Sequence, residues 1–354
     1  MISFGIVGTG WRSHFYLRVA KACPDRFSVV GVVTRDVQKA APLAKQYGVR
    51  LFGSLQELLA QNPKFVVTSV PWPVNPGLLH QLADARMPAL SETPPAPTVE
   101  EMAALCKRVE GGAVIQVAEQ YFLQPHHAAK LAFVQSGKLG HISQAQVSAA
   151  HGYHGISLIR KFLGVGFECP TIRACGFASP IVKSPNRSGP PQAESIVESK
   201  QTIAWLDFGD RLGVFDFVGD QYFSHIRNQR LLVRGTHGEI INDTAVYLKD
   251  FRTPIHVAFT RHCAGPEGNL EGNYLKGYQA DAQWVYENPL IPGELSDDEI
   301  AVGTCLLKMA EHVDGGAPFY PLDEACQDHY LNLCIQQAQK EGHPVRVAQP
   351  LWGK

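Results

Sequence analysis

The chain has 354 residues, enough for roughly two domains at about 150 residues each. Hydrophobic residues make up 45% and charged residues 18%, which supplies a packed core and excludes a disordered chain. Lys+Arg at 32 against Asp+Glu at 33 gives a formal net charge of -1, so there is no basic surplus for nucleic acid, and no apolar run approaches a membrane span. The eight cysteines form no C-x-x-C pair and no zinc spacing, so free thiols and no metal site are expected. The opening MISFGIVGTG lacks the basic and long apolar segments of a signal peptide, and a cytoplasmic location is expected.

Taken in order, Ile2–Val7 reads as a strand, with a helix to about Cys23 and a β-branched strand over Phe27–Thr34. Val37–Tyr47 is a helix closed by Gly48, and Ser54 caps a short one. Phe65–Val70 is the next strand, and Asn75-Pro76 reads as a helix start with Asn as cap. Pro88–Ser91 and Ala113–Val117 are further strands, separated by a helix with Thr98 and Glu101 as capping box. Apolar strands alternating with helices imply an α/β unit over 1–120, a doubly wound parallel sheet of Rossmann type. Over 121–354 the pattern changes. A helix at Pro125–Ser136 and the strand Ile142–Ala149 are followed by runs at 171–177, 202–208, 212–218, 230–234, 239–242 and 245–248. Their alternation predicts an α+β domain with an open, mostly antiparallel sheet. The Pro/Ser/Gly loop 183–193 is long enough for a lid or an oligomer arm, and helices near 298–313 and 322–341 return the chain to the first domain.

The first strand-to-helix turn is Gly8-Thr9-Gly10-Trp11-Arg12-Ser13, a G-x-G-x-x-S form of the dinucleotide fingerprint. Gly8 allows the tight turn, Gly10 lets backbone approach a pyrophosphate, and the helix N-terminus presents free N–H groups. The second strand ends Val33-Thr34-Arg35-Asp36. A hydroxyl and a guanidinium where an acid is expected favour the 2′-phosphate of NADP, while Asp36 keeps NAD open and Arg35 can instead stack on adenine. Dinucleotides sit at the carboxyl ends of parallel strands, which adds Ser69, Pro71, Trp72, Asn75, Glu92, Thr93 and Gln120 as candidate cofactor contacts. Trp72 covers adenine or nicotinamide, or simply packs its loop.

The Gly-rich turn, Leu90-Ser91-Glu92-Thr93-Pro94 and His151-Gly152-Tyr153-His154-Gly155-Ile156-Ser157 through Gly164 together resemble the glucose–fructose oxidoreductase/inositol dehydrogenase family (Gfo/Idh/MocA), over almost the whole length. The second segment is similar to the family's Glu-Lys-Pro motif, and the third to its Asp-x-Gly-x-His-x-x-Asp segment. The departures are sharp: Thr93 stands where the resemblance expects the catalytic Lys, Ala150 and Ser157 where it expects Asp. His154 alone matches a family catalytic position and is the candidate base, with His151 and Tyr153 beside it. Glu92 resembles the family Glu near the nicotinamide ribose. Tyr121, Tyr222, His225 and Arg227 are candidate contacts to a sugar-like substrate, and Lys161 is a distant candidate to replace the missing ammonium.

The resemblance implies an NAD(P)-dependent oxidoreductase moving a hydride between nicotinamide and a secondary hydroxyl or carbonyl of a sugar, polyol or glycoside. Redox-assisted glycoside cleavage with a retained cofactor, or a cofactor-binding sensor without turnover, are the alternatives. Trp205, Phe208, Phe215 and Phe217 are expected on the free face of the second sheet. The resemblance implies that this face pairs in a homodimer or homotetramer.

Overall fold

In the computed structural model, which describes residues 1–353, six short strands lie side by side and parallel. They are β1 (Ile2–Val7), β2 (Phe27–Val33), β3 (Leu51–Phe52), β4 (Phe65–Thr68), β5 (Ala89–Ser91) and β6 (Ile115–Val117), in spatial order β3-β2-β1-β4-β5-β6. The helices α1 (Ser13–Ala22), α2 (Val37–Tyr47), α3 (Leu55–Leu59), α4 (Asn75–Asp84) and α5 (Val99–Glu110) connect them. Their apolar faces bury the strands; all four residues of β4 are buried. The order reverses between β1 and β4, and the crevice there opens at the carboxyl ends of the strands.

Local chemistry sets most of the boundaries. Asp36, Ser54 and Thr98 each accept a backbone N–H from the first turn of the helix that follows. Gly48 closes α2 in the left-handed region, at φ +67°. Asn75 departs from expectation: Val74 is the N-cap, and Asn75 is itself the first helical residue. Its amide is taken by tertiary partners, accepting from Thr68 Oγ1 (2.6 Å) and donating to Ser91 Oγ (3.0 Å) and Pro95 O (2.9 Å). It ties together the ends of β4 and β5 and the loop behind Thr93.

Beyond β6 come α6 (Pro125–Gln135), β7 (Ile142–Ser148) and α7 (Gly152–Leu163). The sheet strands that follow are β8 (Thr171–Val182), β9 (Ile196–Asp207), β10 (Leu212–Val218), β11 (Arg230–Gly235), β12 (Gly238–Ile241), β13 (Thr244–Asp250) and β14 (Thr253–Ala258). A short antiparallel sheet is formed by β15 (Thr260–Ala264), β16 (Tyr274–Ala280) and β17 (Gln283–Glu287). The chain ends through α8 (Asp297–Val313), α9 (Leu322–Glu341) and β18 (Val345–Arg346). The large sheet has nine strands, β14-β13-β12-β11-β7-β10-β9-β8-β18, antiparallel except where β7 meets β10.

Two sequence expectations for this sheet change. β8 and β9 run five to six residues further than their apolar runs and form a long hairpin paired from Thr171↔Asp207 to Val182↔Ile196. Pro180 is tolerated there because β18 pairs only with Thr171 and Ile172, which leaves the rest of β8 as an edge. Phe215 and Phe217 are buried, at 4% and 7% exposure, and do not lie on the free face. They point toward α7, which approaches so closely that a Cβ at Gly155 would come 2.6 Å from the Phe215 ring. Phe208 is partly buried against the core, and Trp205, at 41% exposure, is the one expected aromatic on the open face.

The last two helices close the structure. Gln116 Oε1, on β6, accepts from the backbone N–H groups of Phe319 and Tyr320 (3.1 and 3.0 Å), and Trp352 is buried in the cluster under α4 and α5. The first turn of α8 carries three acids with three different partners. Asp297 pairs with Arg261 (2.8 Å), Asp298 with Arg12 (3.1 Å), and Glu299 with Arg18. Among the described residues no helix is long and apolar enough to cross a membrane, and no cluster of ligating side chains suits a metal ion. All eight cysteines are free.

Candidate active site

The Gly-rich turn leaves β1 at Gly8, whose φ of +111° and whose closeness to Ser69 O both require glycine; a Cβ would lie 2.1 Å from that oxygen. Ser13 Oγ donates to Gly8 O (2.9 Å) and draws the helix against the turn. Around Gly10 the opposite holds: no heavy atom lies within 4 Å of where a Cβ would sit. No side chain caps the N-terminus of α1. At the end of β5, Glu92 Oε1 accepts from the Thr93 N–H (3.1 Å), while its buried Oε2 has no partner. Open space over Gly10, uncapped N–H groups and an orphaned acceptor fit a dinucleotide: pyrophosphate against the turn and a ribose hydroxyl on Glu92.

At the end of β2, Thr34 is buried, Arg35 is exposed, and Asp36 Oδ1 is engaged as the α2 cap by the Lys39 N–H (2.9 Å). Trp11 is 51% exposed and lies edge-on to Phe15. Above it, the hairpin turn 186–189 brings the Arg187 guanidinium 4.9 Å from the Trp11 ring centroid. Arg12 turns inward, donating to Asp298 (3.1 Å) and to the Gln120 amide oxygen (2.9 Å). Arg12 and Gln120, both expected to face a cofactor, thus also hold each other. Ser69 is buried, Thr9 is part-exposed, and Pro71 and Trp72 are exposed at the end of β4.

His154, in the first turn of α7, is 3% exposed. Its Nδ1 lies 2.5 Å from Oε2 of Glu119, a residue that sequence reasoning did not single out. Glu119 is 1% exposed, sits just beyond β6, and accepts the Tyr121 N–H on Oε1 (3.0 Å). Burial pushes the Glu119 carboxyl up to about 8 and, with Arg12 nearby, pushes the His154 imidazole well down. Among the described residues His154 Nε2 has no hydrogen-bond partner. Tyr121 and Tyr153 flank the ring, each with its centroid at 4.5 Å, and His151 lies at 4.9 Å.

A chain of hydroxyls surrounds this pair. His151 Nδ1 lies 2.6 Å from the Tyr222 hydroxyl, which receives a hydrogen bond from Tyr121 OH (3.2 Å). Tyr153 OH donates to Thr93 O (3.2 Å), and Trp72 lies edge-on to Tyr153 at 6.0 Å. Tyr222 is held in place by its neighbour Gln221, which bonds Ser148, Val218 and Asn228. Burial and the neighbouring His154 push His151 down to about 3. The structure therefore brings Thr93, Tyr121, His151, Tyr153, His154 and Tyr222 together. His225 is exposed, and Arg227 donates to the carbonyl of its own neighbour Ile226; neither bonds to this group. Lys161 pairs with Glu324 (3.7 Å) over the rings of Tyr320 and Phe122, so the site gains no ammonium from it.

The comparisons with known proteins fall on the same two halves. Residues 2–119 match the family model described as the oxidoreductase family, NAD-binding Rossmann fold. No curated protein matches the sequence. Among solved structures, levoglucosan dehydrogenase in complex with NADH and levoglucosan is 17% identical, with a TM-score of 0.71 over 98% of this chain and 100% of that one. GenD2 from gentamicin A biosynthesis, in complex with NAD, is 18% identical with a TM-score of 0.65, over 98% of this chain and 96% of that one. An oxidoreductase from Agrobacterium radiobacter in complex with NAD+, L-tartaric acid and magnesium is 16% identical with a TM-score of 0.65, over 98% of both chains. At such identities these three show a shared fold. Residues 2–119 thus match the NAD-binding unit of the Gfo/Idh/MocA oxidoreductase family, and the whole chain shares the fold of these solved dehydrogenase and oxidoreductase structures.

Proposed function

We propose that the protein is an NAD(P)-dependent dehydrogenase or reductase acting on a secondary hydroxyl or carbonyl of a sugar, polyol or glycoside. The observation that carries this reading is His154: buried, ringed by hydroxyl-bearing side chains, with one nitrogen held by Glu119 and the other free. When bound, nicotinamide takes up or supplies the hydride. His154 Nε2 then exchanges a proton with the substrate oxygen. The Tyr121, Tyr153 and Tyr222 hydroxyls and the aromatic faces suit a polyhydroxylated ring, and levoglucosan, a sugar, is bound by a protein of the same fold. Turnover of a sugar and glycoside panel, followed by nicotinamide absorbance and by product release, tests the proposal. Product release without a net absorbance change would indicate redox-assisted glycoside cleavage instead.

Cofactor binding depends on the open space over Gly10. Gly10→Val fills it and is expected to weaken dinucleotide binding at least about tenfold, ~1.4 kcal/mol. Titration calorimetry showing unchanged affinity would remove the pyrophosphate from this turn.

For the choice of cofactor, the reading is NADP. Asp36 is engaged in capping α2, while Arg35 is exposed and makes no ion pair among the described residues. A charge-assisted contact to a 2′-phosphate contributes about 1.5–3 kcal/mol. Arg35→Ala should therefore weaken NADP roughly ten- to hundredfold and NAD little. Equal weakening of both in a fluorescence titration would point to adenine stacking.

A further inference from the structure

We propose that Glu119 and His154 act as a single proton-carrying pair, in which Glu119 is the positioning residue that takes or returns the His154 Nδ1 proton while Nε2 exchanges one with the substrate. The proposal rests on the reading of His154 as the acid–base group. It would account for a site that works without an ammonium at position 93.

The geometry is direct. The carboxylate and the ring nitrogen are 2.5 Å apart, and both side chains are at or below 4% exposure. Every charged or titratable group around Glu119 leaves it without a counter-charge of its own. Arg12, from the Gly-rich turn, is matched by Asp298 and Gln120. Glu92 after β5 and Asp298 on α8 repel a negative charge. Tyr121, Tyr153, Tyr222, Cys305, Tyr320 and Asp328 face it from the surrounding elements, and none is a cation. His151 stands beside His154 and is itself held neutral. Removing water from an isolated carboxylate is unfavourable, so the neutral pair is the resting state: Glu119 protonated and donating to Nδ1, with the ring proton on Nε2.

The proton steps then balance. In oxidation a bound nicotinamide would accept the substrate hydrogen with the electron pair of the broken C–H bond, as hydride. The O–H bond breaks, its proton passes to Nε2, and the oxygen electron pair completes the C=O bond. The Nδ1 proton moves to Glu119 Oε2. Reduction runs each step backwards, with Nε2–H protonating the new alkoxide oxygen. The neutral pair is thus loaded for reduction, and the pair that has lost one proton is loaded for oxidation. Oxidation should rise, and reduction fall, as pH passes Glu119's titration near 8.

The test needs no substrate at first. In protein labelled with ¹⁵N-histidine, with His154→Gln assigning the signal, the His154 ring should stay neutral from pH 6 to 10. Its proton should move from Nε2 to Nδ1 near pH 8, and Glu119→Gln should abolish that move. An imidazolium forming near the ordinary value of about 6.5 in the wild type would overturn the pair. So would a tautomer switch that persists in Glu119→Gln. In kinetics, Glu119→Gln should lower kcat roughly 10²-fold and flatten the pH profile, with Glu119→Asp restoring part of both. A Glu119→Gln profile that keeps the wild-type pH dependence counts against it. If the switch occurs but no substrate turns over, the pair stands and the proposed reaction falls.

Discussion

Replacing His154 with alanine should lower kcat by roughly 10²–10⁴, the range of a lost general acid–base group. Affinity for the dinucleotide should barely change, because the ring contacts Glu119, Tyr121, Tyr153 and His151 and none of the Gly-rich turn. The substitution also leaves Glu119 buried without its partner, which by itself destabilises the fold by about 1–3 kcal/mol. Thermal unfolding therefore has to accompany the rate measurement. His154→Gln, which keeps an amide near Glu119, separates the two effects: it should recover stability and not turnover. Undiminished kcat in both variants, on any accepted substrate, would remove His154 from the chemistry and place the acid–base group elsewhere in the site.

A second large effect is expected far from any reaction step. Arg160, at 1% exposure, is buried between α7 and α9. Its Nη1 donates to Asp328 Oδ1 (2.6 Å) and to the Glu324 carbonyl (3.1 Å). Its Nη2 reaches Glu324 Oε2 (3.0 Å) and Gly166 O (2.8 Å). Asp328 also accepts the buried Tyr320 hydroxyl. Asp328→Ala removes the buried half of the pairing and orphans that hydroxyl. Breaking such a pair typically costs about 3–5 kcal/mol, and denaturant unfolding should show a loss of that order. The double variant Arg160→Met/Asp328→Leu should regain much of it, because well-packed apolar groups often replace a buried ion pair at little cost. A single variant as stable as the wild type would mean that Glu324 and the carbonyls suffice.

What could be read from the sequence was local. The turn at Gly8–Ser13 and the caps at Ser54 and Thr98 are set by neighbours a few residues apart and stand where the residues put them; the strand runs up to Val117 hold to within two residues, and only the two-residue strand Leu51–Phe52 escaped the reading. Asn75 shows the limit: Asn before Pro reads as a cap, and only the tertiary donors and acceptors of β4 and β5 draw its amide elsewhere. Alternation along Leu212–Val218 gives the phase of the strand but not its sides, so Phe215 and Phe217 were assigned to the wrong face. Glu119 carried one usable signal, an acid just past a parallel strand's carboxyl end, where ligands gather. Its partner lies 35 residues away on another element, and Arg12 and Asp298 are 286 apart. Such contacts come from how the two sheets dock and have no period in the chain.

The Arg12–Asp298 contact bears on how a ligand is met. A free arginine side chain carries about 2 kcal/mol of rotamer entropy. Here that freedom is already gone before anything binds: the guanidinium is stacked 4.8 Å from the Phe15 ring centroid, bonded to α8, and bonded to Gln120. The loop proposed to receive the pyrophosphate is in this sense preorganised by the far end of the sequence, so the ordering term of such binding would be met during folding. A piece of the chain ending at residue 120 keeps every glycine of the fingerprint and loses Asp298, so it would present the same motif in a looser form.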